Sequence, residues 1–233
     1  MKIVVTIPTY NEKENIEDTI NALQKIFQKI PNNSNMSILV TDGNSPDGTG
    51  EIVKSISEKE ANVSLIMEKG KRGLGAAYKD AMDFAFDQMN ADAIITFDAD
   101  LSHDPEVLPK FVEKIEKGAK YVCGTRYRRG GGIPEEWGVH RKLISFLGNL
   151  FIRILYIGSG CSDFTSGYKA ISKEVYEKIS GKIGRHSGYT FAIATNLEAV
   201  RAGYKIDEIP YHFRDRTLGK SKMGSEYILN GFI

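Results

Sequence analysis

The chain has 233 residues, 41% hydrophobic and 26% charged, with 31 basic against 30 acidic side chains. This composition excludes a disordered tract, and the near-zero balance excludes the basic excess of a nucleic-acid-binding domain. Cys123 and Cys161, the only cysteines, stand outside any CxxC pair, which speaks against a disulfide framework or cysteine zinc site and fits a reducing compartment.

The opening MKIVVTIPTYNE lacks the form of a signal peptide, because its apolar run stops at Pro8 and acidic residues follow. No uninterrupted apolar stretch reaches the roughly 18 residues of a membrane span, so a soluble, cytoplasmic chain is expected. The last residues, SEYILNGFI, turn apolar, which suits either a natural terminus or a boundary before membrane segments.

In chain order, Lys2–Ile7 reads as a buried strand closed by Pro8. Asn11 reads as the cap of a helix carrying Ile16, Ile20, Leu23, Phe27 and Ile30 at helical spacing. A strand at 36–41 leads into the turn cluster DGNSPDGTG. A helix over 51–60, a strand at 63–67 and a helix from KGKRGLGAA to about Met89 follow. Next come a strand at 93–97 ending in Asp98-Ala99-Asp100, a helix over 105–117 and a strand at 121–125. The stretch 127–137, YRRGGGIPEEW, reads as mobile, too glycine-rich and charged to pack. Alternation of strand and helix implies parallel βαβ units. In such sheets ligands gather at the carboxyl ends of the strands, where PTYNE, DGNSPDG and DAD all fall.

Alternate carboxylates at Asp98 and Asp100 can reach one hard cation, which would neutralise a leaving diphosphate. The triplet alone equally suits a solvated turn, and His103 alone reads as a cap or surface residue. Asp42, at its strand end, is placed to hydrogen-bond a base or ribose, whereas Asp47 suits a helix cap. KGKRGLG is neither a P-loop nor a dinucleotide fingerprint. Arg126, Arg128 and Arg129, with Arg214, Arg216, Lys220 and Lys222, are two basic clusters suited to a diphosphate and a second phosphate. Over 140–157, Arg141, Ser145, Asn149 and Arg153 form a narrow polar stripe on an otherwise apolar helix. That helix is either largely buried or laid on a membrane surface with its basic residues toward lipid phosphates.

Together these motifs resemble the family-2 glycosyltransferases, specifically the dolichyl-phosphate mannosyltransferases. The likeness runs in order through IPTYNEKENI (7–16), SPDGT (45–49), RGLGAAY (72–78), DADLSHDPE (98–106), GTRY (124–127), SDFTSG (162–167), SGYTF (187–191) and DRTLGKSKMG (215–224). The resemblance implies an α/β GT-A fold, a Rossmann-like, mostly parallel sheet flanked by helices. It also implies inverting transfer of a hexose, mannose from GDP-mannose in first place, to dolichyl or polyprenyl phosphate. UDP-glucose is the alternative donor, and an inactive nucleotide-sugar-binding subunit the alternative role.

By motif position, Pro8, Tyr10, Glu12, Val40 and Asp42 would hold base and ribose, and Asp98 and Ala99 the sugar nucleotide. Asp100 would be the main ligand of Mg²⁺ or Mn²⁺, with Asp98 and Ser102 beside it. Arg126, Arg216 and Lys222 would contact the diphosphate or the acceptor phosphate, with Arg141 also toward the latter. Two positions depart from the pattern: Gly43 replaces a second aspartate, and Ser102 stands where some relatives carry glutamine. The catalytic domain is expected over 1–213 and a basic substrate-binding tail over 214–233. The implied partners are the nucleotide sugar, the lipid phosphate and the cytoplasmic face of a membrane, with an anchoring domain or subunit, and no nucleic acid.

Overall fold

A computed structural model describes residues 1–31, 33–184, 186 and 188–216. The first β-branched run forms β1 (Lys2–Thr9), continuing through Pro8, and its partner is β2 (Asn35–Asp42). Between them α1 (Ile16–Phe27) buries Ile16, Ile20, Leu23 and Ile26, one stripe of a 3.6-residue period. There follow α2 (Thr49–Ser57), β3 (Val63–Met67), α3 (Leu74–Asp87) and β4 (Ala93–Thr96). A 3₁₀ turn at Pro105–Val107, capped by the Asp104 side chain, leads into α4 (Leu108–Glu116) and then β5 (Tyr121–Thr125). The rest comprises α5 (Val139–Leu155), β6 (Lys169–Ser172), α6 (Lys173–Ile183), α7 (Gly188–Arg201) and β7 (Asp207–Pro210).

The seven strands lie in the order β3-β2-β1-β4-β6-β5-β7. All neighbours are parallel except β6, which runs antiparallel to both β4 and β5. Alternate residues of β1 feed two apolar layers: Ile3, Val5 and Ile7 pack with α1 and α4, and Val4 packs with α3 and α6. The chain order reverses beside β1, so a crevice opens at the carboxyl ends of β1 and β4.

Three expectations need correction. Asn11 is not a helix cap: it sits at φ 55° in a turn, and α1 begins five residues beyond it, after Asn15. Asparagine tolerates that left-handed conformation better than most residues. The 127–137 stretch packs, with Pro134 and Trp137 buried and Gly132 bridging to His212. A Cβ on Gly132 would meet the His212 ring at 2.5 Å, which is why glycine suits this close approach. Finally, α5 is neither core nor ordinary surface. Its one buried residue is Asn149, which accepts the Phe164 N–H (2.8 Å) and donates to Thr165 Oγ1 (3.0 Å). Ser145 bonds Tyr127 Oη at 2.6 Å. Ser145 and Asn149, the middle of the polar stripe, thus face the protein, while Arg153 is exposed and Leu143, Ile144, Phe146, Leu147, Leu150, Phe151, Ile154 and Leu155 are exposed by 37% to 62%. Among the described residues no helix is long and apolar enough to cross a membrane.

Candidate active site

The three polar motifs converge as their strand ends require. A cavity of about 810 Å³ is floored by Pro8, Thr9, Tyr10 and Gly43 and, across the crevice, by Asp98, Ala99, Asp100 and Ser102. Each motif turn carries one non-glycine residue in the left-handed region: Asn11 (φ 55°), Asn44 (φ 59°) and Leu101 (φ 57°). Leucine accepts that conformation at a cost of about 1–2 kcal/mol. The strained turn lies directly between Asp100 and Ser102, whose backbone N–H donates to Asp100 Oδ1 at 3.1 Å. From below, Thr19 on α1 donates to the Ala99 carbonyl at 2.7 Å and pins the same turn.

Asp98 is oriented from two sides. Tyr78 Oη–H donates to its Oδ1 at 3.1 Å, and His103 Nε2 lies 3.5 Å from its Oδ2. The Asp98 backbone N–H donates to His103 Nδ1 at 3.2 Å, which leaves Nε2 as the imidazole's donor. His103 is therefore no surface residue: it is buried and stacks on Tyr168 with ring centroids 4.7 Å apart. Burial lowers its pKa against the opposing pull of Asp98, so the ring is neutral at ordinary pH. Burial raises the Asp98 carboxyl; His103 opposes this and Asp100 adds to it. Tyr78 is held well above its usual value, by burial first and Asp98 second, so it remains a donor.

Asp100 Oδ2 accepts from Arg216 Nη2 at 2.7 Å, and the same guanidinium reaches Glu12 Oε1 at 3.7 Å. A cationic group thus already lies against the carboxylate expected to hold a metal. Among the described residues no group of three or more His, Cys, Asp and Glu could hold a metal ion. The donor set still fits Mg²⁺ or Mn²⁺, which need only one or two carboxylates when phosphate oxygens complete the shell.

The basic clusters divide. Arg126 lines the cavity, held through Nε and Nη2 by the fully buried Asp163 at 2.7 Å each, and by Thr165. Burial would depress its pKa, and Asp163 more than reverses that. Arg128 instead pairs with Glu208 outside the cavity, and Arg129 is exposed. Arg141 leaves the apolar arc of α5 for the roof, 3.8 Å above the Trp137 ring and 3.8 Å from Asp215. Trp137 Nε1 donates to Asp215 at 2.8 Å, and Phe213 packs edge-on against the indole. Lys220 and Lys222 lie outside the described residues.

The base-and-ribose set is partly displaced. Pro8, Tyr10 and Glu12 line the cavity, but Val40 and Asp42 are fully buried beneath it. Asp42 organises its own turn, accepting from Thr9 Oγ1 (2.8 Å), Ser45 N (2.8 Å) and Ser45 Oγ (2.6 Å). Asp47 ties two helix entries together, accepting from Thr49 and from the Lys13 N–H. Sequence reasoning passed over Tyr78, Glu68 and Trp137 and set His103 aside as a cap or surface residue. Only the short spacing of His103 from Asp98, one turn away, could have flagged any of them.

The model of the family described as "Glycosyl transferase family 2" matches residues 4–180. The polyprenol monophosphomannose synthase of Mycolicibacterium smegmatis is 34% identical over 228 residues, 97% of this chain and 83% of the relative. The undecaprenyl-phosphate mannosyltransferase of Micrococcus luteus is 34% identical over 223 residues, 96% of this chain and 88% of the relative. In fold the chain is similar to mannosyl-3-phosphoglycerate synthase from Rubrobacter xylanophilus (TM-score 0.70, 16% identity, 99% of this chain and 70% of that one). It is likewise similar to glucosyl-3-phosphoglycerate synthase from Mycobacterium tuberculosis with Mn²⁺, UDP and phosphoglyceric acid (TM-score 0.66, 19% identity, 94% and 72%). With strand-end carboxylates and arginines gathered in one crevice of a GT-A sheet, the chain belongs to glycosyl transferase family 2 and is a glycosyltransferase.

Proposed function

We propose that the enzyme transfers mannose from GDP-mannose, with inversion, to the phosphate of a polyprenyl or dolichyl phosphate, giving a β-linked lipid-phosphate sugar. Support for the mannosyl group and the lipid acceptor comes from two relatives of those names, each aligned over nearly the whole chain. The observation that carries the chemistry is Asp100, a strand-end carboxylate paired directly with Arg216 in the cavity. Asp98, Asp100 and Ser102 would hold Mg²⁺ or Mn²⁺, which supplies positive charge to the departing diphosphate. Arg216, and Lys222 from the 214–233 tail, would turn to the diphosphate oxygens.

No general base is needed, because the second pKa of a phosphate monoester is near 6 and the acceptor is already mostly a dianion at pH 7. Neutral, buried His103 is spent on holding Asp98. Arg126 Nη1 donates to none of the described residues, and with Arg141 in the roof it would receive the acceptor phosphate. The apolar arc of α5 would lie in the lipid surface at the cytoplasmic face, keeping the prenyl chain in the bilayer while its phosphate enters beside Arg141.

The test supplies GDP-mannose and UDP-glucose in parallel, with a polyprenyl phosphate and Mn²⁺ or Mg²⁺. A β-mannosyl lipid formed from GDP-mannose, and lost on chelation, is the expected result. Glucosyl lipid from UDP-glucose alone would overturn the donor, and no lipid product from either would overturn the acceptor.

A further inference from the structure

On the β3 side of the cavity, away from Asp100, stands another carboxylate. Glu68 follows β3, and its backbone N–H donates to the Asp42 carbonyl at 2.8 Å, carrying β3 onto the end of β2. Its side chain is only 2% exposed, yet the residue lines the cavity. Oε1 accepts from Nε and Nη2 of Arg72, whereas Oε2 accepts from none of the described residues. Oε2 points over Gly43: a Cβ there would stand 3.5 Å from it and 3.3 Å from the Tyr10 ring. The glycine leaves a slot between carboxylate and ring, and Lys71 Nζ covers the ring at 4.4 Å. A buried acceptor with an open oxygen is costly unless a ligand donor completes it.

The end of β3, from which Glu68 reaches in, lies three strand spacings from β4, roughly 14 Å, the reach of an extended nucleoside diphosphate whose phosphates sit by Asp100. We infer that Glu68 reads the nucleobase and selects guanine. Guanine alone among the common bases presents two adjacent donors, N1–H and N2–H, on its pairing edge, and a carboxylate only accepts. Arg72 is half-exposed and also pairs with Asp80, so it can release Oε1 for the second donor. Uracil offers one N–H between two carbonyl oxygens, which a buried carboxylate repels. The inference rests on the donor reading above and assigns it to a residue.

Calorimetric titration of GDP, inosine diphosphate and UDP into the full chain with Mn²⁺ tests it without turnover. Inosine lacks the N2 amine. Wild type is expected to bind GDP at least tenfold more tightly than either of the others. In Glu68→Gln, GDP should fall to the inosine level while UDP holds or improves. Should Glu68→Gln fail to fold, Glu68→Asp withdraws the carboxylate by one methylene and should shrink the same ratio. Equal affinity for GDP and inosine diphosphate in wild type overturns the inference without any variant. An undiminished GDP preference in a folded variant overturns the Glu68 assignment alone, and tighter UDP than GDP in wild type overturns the donor reading itself.

Discussion

Asp100 and Arg216 neutralise each other at 2.7 Å with side chains 10% and 23% exposed, on segments 116 residues apart in sequence. On the proposed roles, Asp100→Asn should lower kcat by at least about 10³-fold, since an amide cannot balance the charge of cation and diphosphate. Thermal unfolding should move little, because the residue sits on a turn rather than in the packed layers. Arg216→Ala should cost about 10²-fold or more in kcat, again with small change in Tm, and a drop of several kcal/mol in stability would mark the pair as structural. Lys169 gives a separate, pH-dependent prediction. Burial pulls its pKa down to about 8, against opposing attraction from Cys123 and neighbouring groups. The unfolded chain keeps that proton up to the ordinary lysine value near 10.4, so it binds more protons through the window above pH 8. Stability should therefore rise between pH 8 and 10, by at most about 1.4 kcal/mol per unit from this group. Lys169→Met should flatten that limb in denaturant titrations; above pH 10 the raised pKa values of buried tyrosines pull the other way.

At the scale of elements, α5 makes the sharpest demand. Phe151 and Leu155 are 62% and 61% exposed, so replacing them with Ser and Gln should leave the fold intact. Flotation with anionic liposomes should show wild type bound and the double variant free, and turnover should shift from long-chain toward short, water-soluble prenyl phosphates. The polar stripe of this helix was legible at four-residue spacing, but its direction was not. Period reports that a helix has two faces, and only the partners of Asn149 and Ser145 reveal which one turns inward. Elements through β5 were legible because β-branched runs alternate with helical spacing there. β6 (KAIS) and β7 (DEIP) went unread, being four residues each with no apolar run of their own. They are strands because the edges of β4 and β5 recruit them. The site divided in the same way. Asp98, Asp100 and Arg126 announced themselves at strand ends, while Asp42 carried the same signal and was consumed by its own turn. Glu68, just before a glycine-rich turn, carried no signal in the sequence, and only the slot over Gly43 gives it a direction.

For the whole molecule, the order β3-β2-β1-β4-β6-β5-β7 puts the ends proposed to face the nucleotide on one half of the sheet and the end that carries Arg126 on the other. The chain then returns through Phe213, Asp215 and Arg216 to roof the crevice. The family match ends at residue 180, so this closing segment lies beyond it. Trp137 stands where the roof is sewn together, its indole bonded to Asp215, faced by Arg141 and edged by Phe213. It is also the only tryptophan in the chain. The protein therefore carries a built-in optical reporter of its own roof. Emission excited at the indole band should be blue-shifted at rest, where the residue is 7% exposed. It should move red, with greater quenching by iodide, whenever the Asp215 bond breaks. Asp215→Asn, which weakens that acceptor, should shift the resting spectrum in the same direction, and stopped-flow traces on mixing with nucleotide would time the roof's movement without any label.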